Sequence, residues 1–227
     1  MQKKRSVGAF KIWAEYILQQ ILKDSTLMKA IRNKNSRICD YFFDEVLPLK
    51  RFLSSSSMYQ DAFVQMPFDD RHRDAIITKI NGKEQFIEIT SAKDGHQVDL
   101  RNNFLKDNVC VPLFGAMKSK GSKASGKQTI TPPESIARSL ESIVNKRLKL
   151  IESSINKKVD KTYPLDTILI VYFHENFLPS KQLDDEVKQF KKDVKQLEDG
   201  IREILKNTQN HNFSNIFILN TKGKIYS

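Results

Sequence analysis

The chain has little cysteine, glycine or proline, and it lacks any long apolar run. Two cysteines in 227 residues, Cys39 and Cys110, make neither a disulfide framework nor a metal motif. No apolar run approaches the ~18 residues that a membrane span needs. The start, Met1-Gln2-Lys3-Lys4-Arg5, leads into an amphipathic stretch and not into a signal-peptide core. A soluble, cytoplasmic protein with no membrane partner is expected. No Ser- or Cys-nucleophile motif is present, and the four histidines, His72, His96, His174 and His211, are scattered without zinc spacing. Acid is the minority charge: 27 Asp+Glu stand against 38 Lys+Arg, a formal net charge of +11. That excess favours an anionic partner, nucleic acid being the common one, although a lysine-rich surface also serves solubility.

What is present is a core and a sequence of elements. With 39% hydrophobic residues the chain has enough apolar surface to fold, and its length suits one domain over residues 1–227. Phe10, Trp13, Ala14, Ile17, Leu18 and Ile21 recur at helical spacing. Asp24-Ser25 offers a cap for a short helix near Leu27, and a third helical stretch through Phe42 and Val46 is expected to end near Pro48. Ser54 to Ser57 reads as a loop, closing an N-terminal helical part over 1–57. Strands follow over 60–66, Arg73 to Ile80 and Glu84 to Ser91, the last two joined by Asn81-Gly82-Lys83. The segment 93–130 is polar and irregular. Thr131-Pro132-Pro133-Glu134 then starts a helix along Ile136, Leu140, Ile143, Val144, Leu148, Ile151 and Ile155. Thr167 to Phe173 reads as a buried strand, residues 180–207 as a long helix, Asn215 to Leu219 as a strand and Lys224 to Tyr226 as a last one. Strands alternating with helices require crossovers, hence an α/β fold with a mixed central sheet flanked by helices. The heptad-like face of helix 180–207 suits its own sheet and equally a homodimer.

The chemistry concentrates in the hairpin. Asp74 opens one strand and Glu88 sits inside the apolar run of the other, which is costly unless it is paired or binds a metal. A two-residue turn would place Asp74 opposite Ile89 and turn Glu88 away. A three-residue loop, Asn81-Gly82-Lys83, would place Asp74 opposite Thr90 and diagonal to Glu88, with Ala75, Ile77, Ile87 and Ile89 together on the other face. The apolar pattern favours the second register. Two carboxylates and a backbone carbonyl suit Mg²⁺ or Mn²⁺ as cofactor. The alternative is a strand-end cap at Asp74 and a cross-sheet salt bridge at Glu88. Asp69 and Asp70 are substitutes for Asp74, or cap a turn after Pro67. A second feature is the Gly- and Ser-rich loop 115–127, whose Lys118, Lys120, Lys123 and Lys127 suit a nucleic-acid backbone.

A helix, a hairpin with Asp74 then Phe86-Ile87-Glu88-Ile89-Thr90-Ser91, then helix–strand–helix, resembles the PD-(D/E)XK restriction-endonuclease-like nucleases. The likeness covers roughly residues 60–220 as a pattern of elements and only this short core as residues. It implies a restriction-endonuclease-like sheet, Mg²⁺-dependent hydrolysis of DNA in a restriction or defence role, and a metal held by Asp74 and Glu88. The family's motif lysine would fall at position 90, where this chain has Thr90. Lys93, three residues on, is a candidate to swing in, or Thr90 contributes an oxygen, or the fold only binds nucleic acid or a protein partner. Such nucleases often add an acidic residue from the first helix, for which Glu15 or Glu45 would serve. His96 lies near enough in sequence to assist proton transfer.

Overall fold

A computed structural model describes residues 3–24, 41–67, 73–98, 100, 104, 117–120, 129–131, 140–174, 184–208 and 212–227. The described elements, in chain order, are β1 (Arg5–Ser6), α1 (Val7–Lys23), a π-helical turn (Phe42–Val46) running into α2 (Leu47–Ser55), β2 (Phe63–Gln65), β3 (Ala75–Thr78), β4 (Glu84–Ser91), β5 (Lys118–Lys120), β6 (Thr129–Thr131), α3 (Leu140–Val159), β7 (Thr167–Phe173), α4 (Asp184–Asn207), β8 (Asn215–Asn220) and β9 (Ile225–Tyr226). Seven strands form one mixed sheet in the order β1-β2-β3-β4-β7-β8-β9. Strands β1 to β4 are an antiparallel meander, whereas β7 and β8 run parallel to β4. This is the α/β class with a mixed sheet flanked by helices.

The two faces of the sheet carry different helices because β4 and β7 alternate. Ile87, Ile89, Ile168 and Ile170 point to α1, the π-turn and α2, packing with Phe10, Ala14, Val46 and Phe52. Leu169, Val171 and Phe173 point the other way, to Val144, Ile151 and Ile155 of α3 and to Leu197 and Ile201 of α4. All seven residues of β7 are therefore buried, as its continuous β-branched and aromatic run requires. Each such aliphatic side chain removed from water contributes about 1.5–3 kcal/mol. Leu197 and Ile201 of the heptad-like face of α4 thus lie on its own sheet.

Several boundaries differ from the sequence expectation. Arg5–Ser6 add a strand before the first helix, and Ser6 caps α1 by accepting the Ala9 N–H at 3.2 Å. The helix around Pro48 does not stop there: Pro48 lies in the first turn of α2, where its missing N–H costs nothing, and the helix runs through Ser54 to Ser55. Ser57–Tyr59 is a 3₁₀ turn, not open loop. The expected helix near Leu27 and the Thr131-to-Glu134 capping box lie outside the described residues, apart from Thr131 itself.

The hairpin register is shifted by two. Ala75 pairs with Ile87 and Thr78 with Glu84, and the Lys79 N–H donates to the Lys83 carbonyl at 2.9 Å. The loop is therefore Ile80-Asn81-Gly82. A three-residue hairpin loop needs its last residue in the left-handed region, and Gly82 takes it with φ of 80°. The loop Asn81-Gly82-Lys83 would have forced Lys83 there. Because the slip is two residues, every side chain keeps its face, and Glu88 still points away from Ile87 and Ile89.

Candidate metal centre and nucleic-acid interface

The β3–β4 ladder stops at Ala75 and Ile87, while β4 continues to Ser91. Its exposed edge needs acceptors, and Asp74 supplies one. The Asp74 N–H donates to the Ile87 carbonyl at 2.8 Å, and its carboxylate Oδ2 accepts the Ile89 N–H at 2.6 Å. A side chain thus replaces the next ladder carbonyl and brings the Asp74 carboxylate beside Glu88. The π-turn packs along the same free edge. Ser91 Oγ donates to Asp44 Oδ1 at 3.2 Å, and Lys93 Nζ pairs with Asp44 Oδ2. A π-turn inserts one residue into a helix and re-aims its neighbours. Here it sends Asp44 outward to Ser91 and Lys93 and places Glu45 toward Asp74 and Glu88.

Glu88 is 5% exposed. Its Oε1 accepts Lys158 Nζ of α3 in an ion pair and the Tyr163 hydroxyl at 3.4 Å. Glu45 and Asp74 feel the Glu88 carboxylate as a like charge and the Lys158 ammonium as an opposite one. Burial first, then Asp74, Asp44 and Glu88, push Glu45 up to about 8 against the pull of Lys158. Burial first, then Glu88, push Asp74 up to about 7, although the Ile89 N–H and Lys158 favour its charged form. Burial and the same carboxylates raise the Tyr41 and Tyr163 phenols, so both stay neutral.

The shifted register sets Asp74 beside Glu88 and not opposite Thr90, and the contacts observed are those of the alternative reading: Asp74 caps the strand edge and Glu88 is ion-paired, to Lys158 of α3. Thr90 is half-buried on β4, on the Glu88 side by strand alternation. Lys93 does not swing to the carboxylates: Asp44 holds it. Glu15 lies away from them, in a surface pair with Lys50. His96 sits beside Asp94, which pairs with Lys146 at 3.0 Å. Asp69, Asp70, His72 and His211 lie outside the described residues.

Segment 93–130 is not wholly irregular. Lys118–Lys120 and Thr129–Thr131 form an antiparallel hairpin, with Lys118 opposite Thr131 and Lys120 opposite Thr129. Lys118 and Lys120 are exposed on one side of it; Lys123 and Lys127 lie outside the described residues. Gln97 anchors the hairpin base, accepting the Met117 N–H at 2.7 Å and donating to the Met117 carbonyl at 3.2 Å.

Sequence reasoning missed Lys158 and Tyr163. A signal existed for the first: Lys158 follows Ile151 and Ile155 by seven and three residues, so it falls on the apolar stripe of α3. A lysine on a buried stripe demands a buried anion.

The donor set is hard oxygen, which fits Mg²⁺ or Mn²⁺. Among the described residues no group of three or more His, Cys, Asp or Glu is placed to hold a metal ion. Both Lys158 and Tyr163 address the same oxygen of Glu88, Oε1. No described helix is long and apolar enough to cross a membrane. A scan against protein-family profiles, and searches of curated proteins and of solved structures, return no match to this chain.

Proposed function

We propose that the protein is a divalent-metal-dependent nuclease of the PD-(D/E)XK type, hydrolysing phosphodiester bonds of DNA. One observation carries this reading: at the free edge of β4 the Asp74 carboxylate accepts the Ile89 N–H beside Glu88, which pairs with Lys158, and Glu45 lies within electrostatic reach of both carboxylates. The order of elements supports it, since a helix, the Asp74–Glu88 hairpin and then helix–strand–helix are all present. Asp74 and Glu88 would hold Mg²⁺ or Mn²⁺, with Glu45 beside them. Bound there, the ion would acidify a water and offset charge on the phosphodiester.

The chain's own groups account for the rest. Asp74 is oriented by the Ile89 N–H, so its carboxylate is fixed before any ligand arrives. Lys158 supplies the positive charge expected of the absent motif lysine, reaching Glu88 from α3 and not from β4. Lys158, and not Lys93, would take that role, since Lys93 pairs with Asp44. Tyr163 steadies Glu88 from the buried side. Lys118 and Lys120, on their exposed hairpin, would meet the backbone phosphates.

The second reading is a nuclease-fold module that binds nucleic acid or a protein partner without cutting. Thr90 in place of the motif lysine favours it. Incubation of plasmid and single-stranded DNA with Mg²⁺ or Mn²⁺ separates the two. The nuclease reading expects cleavage that is lost in Asp74→Ala and Glu88→Ala. Cleavage surviving both substitutions removes the site. Salt-sensitive binding without cleavage leaves the binding module.

A further inference from the structure

The antiparallel meander has two faces that differ in what covers them. Val64, Ala75, Ile77 and Ile87 point toward α1 and α2 and belong to the core on that side. Strand alternation sends Phe63, Ile76 and Phe86 to the opposite side, the one on which Glu88 points. On that side the core that α3 and α4 build takes its strand residues from β7 and β8. Among the described residues, Phe63, Ile76 and Phe86 belong to neither hydrophobic core. Phe63 is 43% exposed, and Ile76 and Phe86 are half-buried.

Each of the two rings on this face lies under a cation. Lys4 Nζ is 5.6 Å from the Phe63 ring centroid, and the Arg73 guanidinium is 5.6 Å from that of Phe86. The cross-strand register lines the rings up with the carboxylates. Ile76 stands opposite Phe86 on one side and opposite Gln65 on the other. Phe86 precedes Glu88 by two residues of β4, about 6.6 Å. Phe63 lies two strands over from β4, about 9.6 Å, and two residues farther along the sheet. Thr78 and Glu84, opposite one another, close the far end. An apolar, aromatic and cationic row thus leads across the open face to the Asp74–Glu88 centre.

This combination fits one class of partner. Single-stranded nucleic acid is held by aromatic rings on which bases stack and by cations that meet its phosphates. A duplex keeps its base faces stacked on one another and has none to offer a ring. The net charge of +11 supplies the complementary sign. We propose that this face of the β1–β3 meander is a stacking platform for single-stranded nucleic acid, with bases on Phe86 and Phe63 and with Lys4 and Arg73 at the adjoining phosphates. It deepens the nuclease reading and rests on it for the phosphate at Asp74 and Glu88, but its test does not require cleavage.

The test is fluorescence anisotropy in EDTA with a short mixed-sequence single strand, the same strand made abasic, and the matching duplex. Wild type should bind the base-bearing strand most tightly. Phe63→Ala should weaken that binding roughly fivefold or more, the usual effect of removing a stacked ring, and leave the abasic strand unchanged. Phe63→Trp should restore it. Phe86→Leu keeps the apolar bulk, removes the ring and should repeat the loss nearer the carboxylates. Lys4→Gln should flatten the slope of log K against log salt by about 0.7, the contribution of one single-strand phosphate. Unchanged affinity for the base-bearing strand in folded Phe63→Ala and Phe86→Leu would overturn the platform. So would a self-association, seen by sedimentation, that Phe63→Ala abolishes while oligonucleotide binding stays intact, because the face would then hold a second copy of the chain. Base-dependent binding that Phe63→Ala removes, in a protein that cleaves nothing with Mn²⁺, would retire the nuclease reading and keep the platform. Plasmid cleavage without base-dependent binding would keep the nuclease and overturn the platform.

Discussion

Removing the ammonium of Lys158 should damage the protein far more than a surface lysine would. Lys158 and Glu88 have side chains 22% and 7% exposed. Truncating one member of a buried pair leaves the other charged and unpaired, which typically costs 3–5 kcal/mol. An exposed pair is worth only ~0–1 kcal/mol. Lys158 is partly wet, which places Lys158→Met near the lower end, about 3 kcal/mol. The cost should depend on pH. Glu45 and Asp74 titrate near 8 and 7, so at pH 8 most of the local negative charge is present, while at pH 6 both can take up protons. Urea unfolding of wild type and Lys158→Met in EDTA, at pH 6 and pH 8, measures this directly. The loss should be larger at pH 8. A loss below ~1 kcal/mol at both pH values would show that the pair behaves as a surface contact, and the buried-centre argument would fall. Thr90→Lys, on the Glu88 face of β4, should recover part of the loss by returning an ammonium to the same neighbourhood.

Three further outcomes are expected. The raised Glu45 and Asp74 values mean that the folded state holds protons which the unfolded chain has released above its ordinary carboxylate range. Metal-free stability should therefore fall as pH rises from about 4 to about 8, and Mn²⁺ should raise Tm more at pH 8 than at pH 6; a flat profile with no ion effect refutes the crowding. The two glycine substitutions separate conformation from packing by chemical denaturation. Gly82→Ala meets open space and should cost about 1–2 kcal/mol from its positive φ alone. Gly200→Ala puts a Cβ 2.5 Å from a methyl of the half-buried Leu148, which a rotamer change relieves, and the helix-propensity gain of about 1 kcal/mol should keep stability within about 1 kcal/mol of wild type. Gln97→Ala removes both contacts to Met117 and should speed proteolysis within the Lys118–Thr131 hairpin without lowering global stability.

Much of the fold was legible because its signals are local. The β-branched run Thr167–Phe173 can only be satisfied by burial on both faces, and it forms β7 over that same range. Ile151 and Ile155 mark α3, and Leu197 and Ile201 mark α4, by spacing alone. Period-two alternation also placed Glu88 on the face away from Ile87 and Ile89, and that survived the register slip. The slip itself turned on one backbone angle. Gly82 takes a positive φ as the last loop residue, a conformation that composition does not reveal.

The amino-acid sequence determined the elements, the identity of two carboxylates and the side of β4 on which Glu88 points, since each follows from periodicity within a few residues. The tertiary structure decided which charges meet. Lys93, five residues from Glu88, turns to Asp44, whereas Lys158, seventy residues away, reaches Glu88 because the crossover through α3 lays that helix over β4 and β7. Glu15 and Glu45 both sit on N-terminal helical elements, yet only Glu45 joins the centre, because the π-turn packs against the edge of β4 that β3 leaves free. Long-range pairing is set by where the chain returns, and no window along the sequence contains that information.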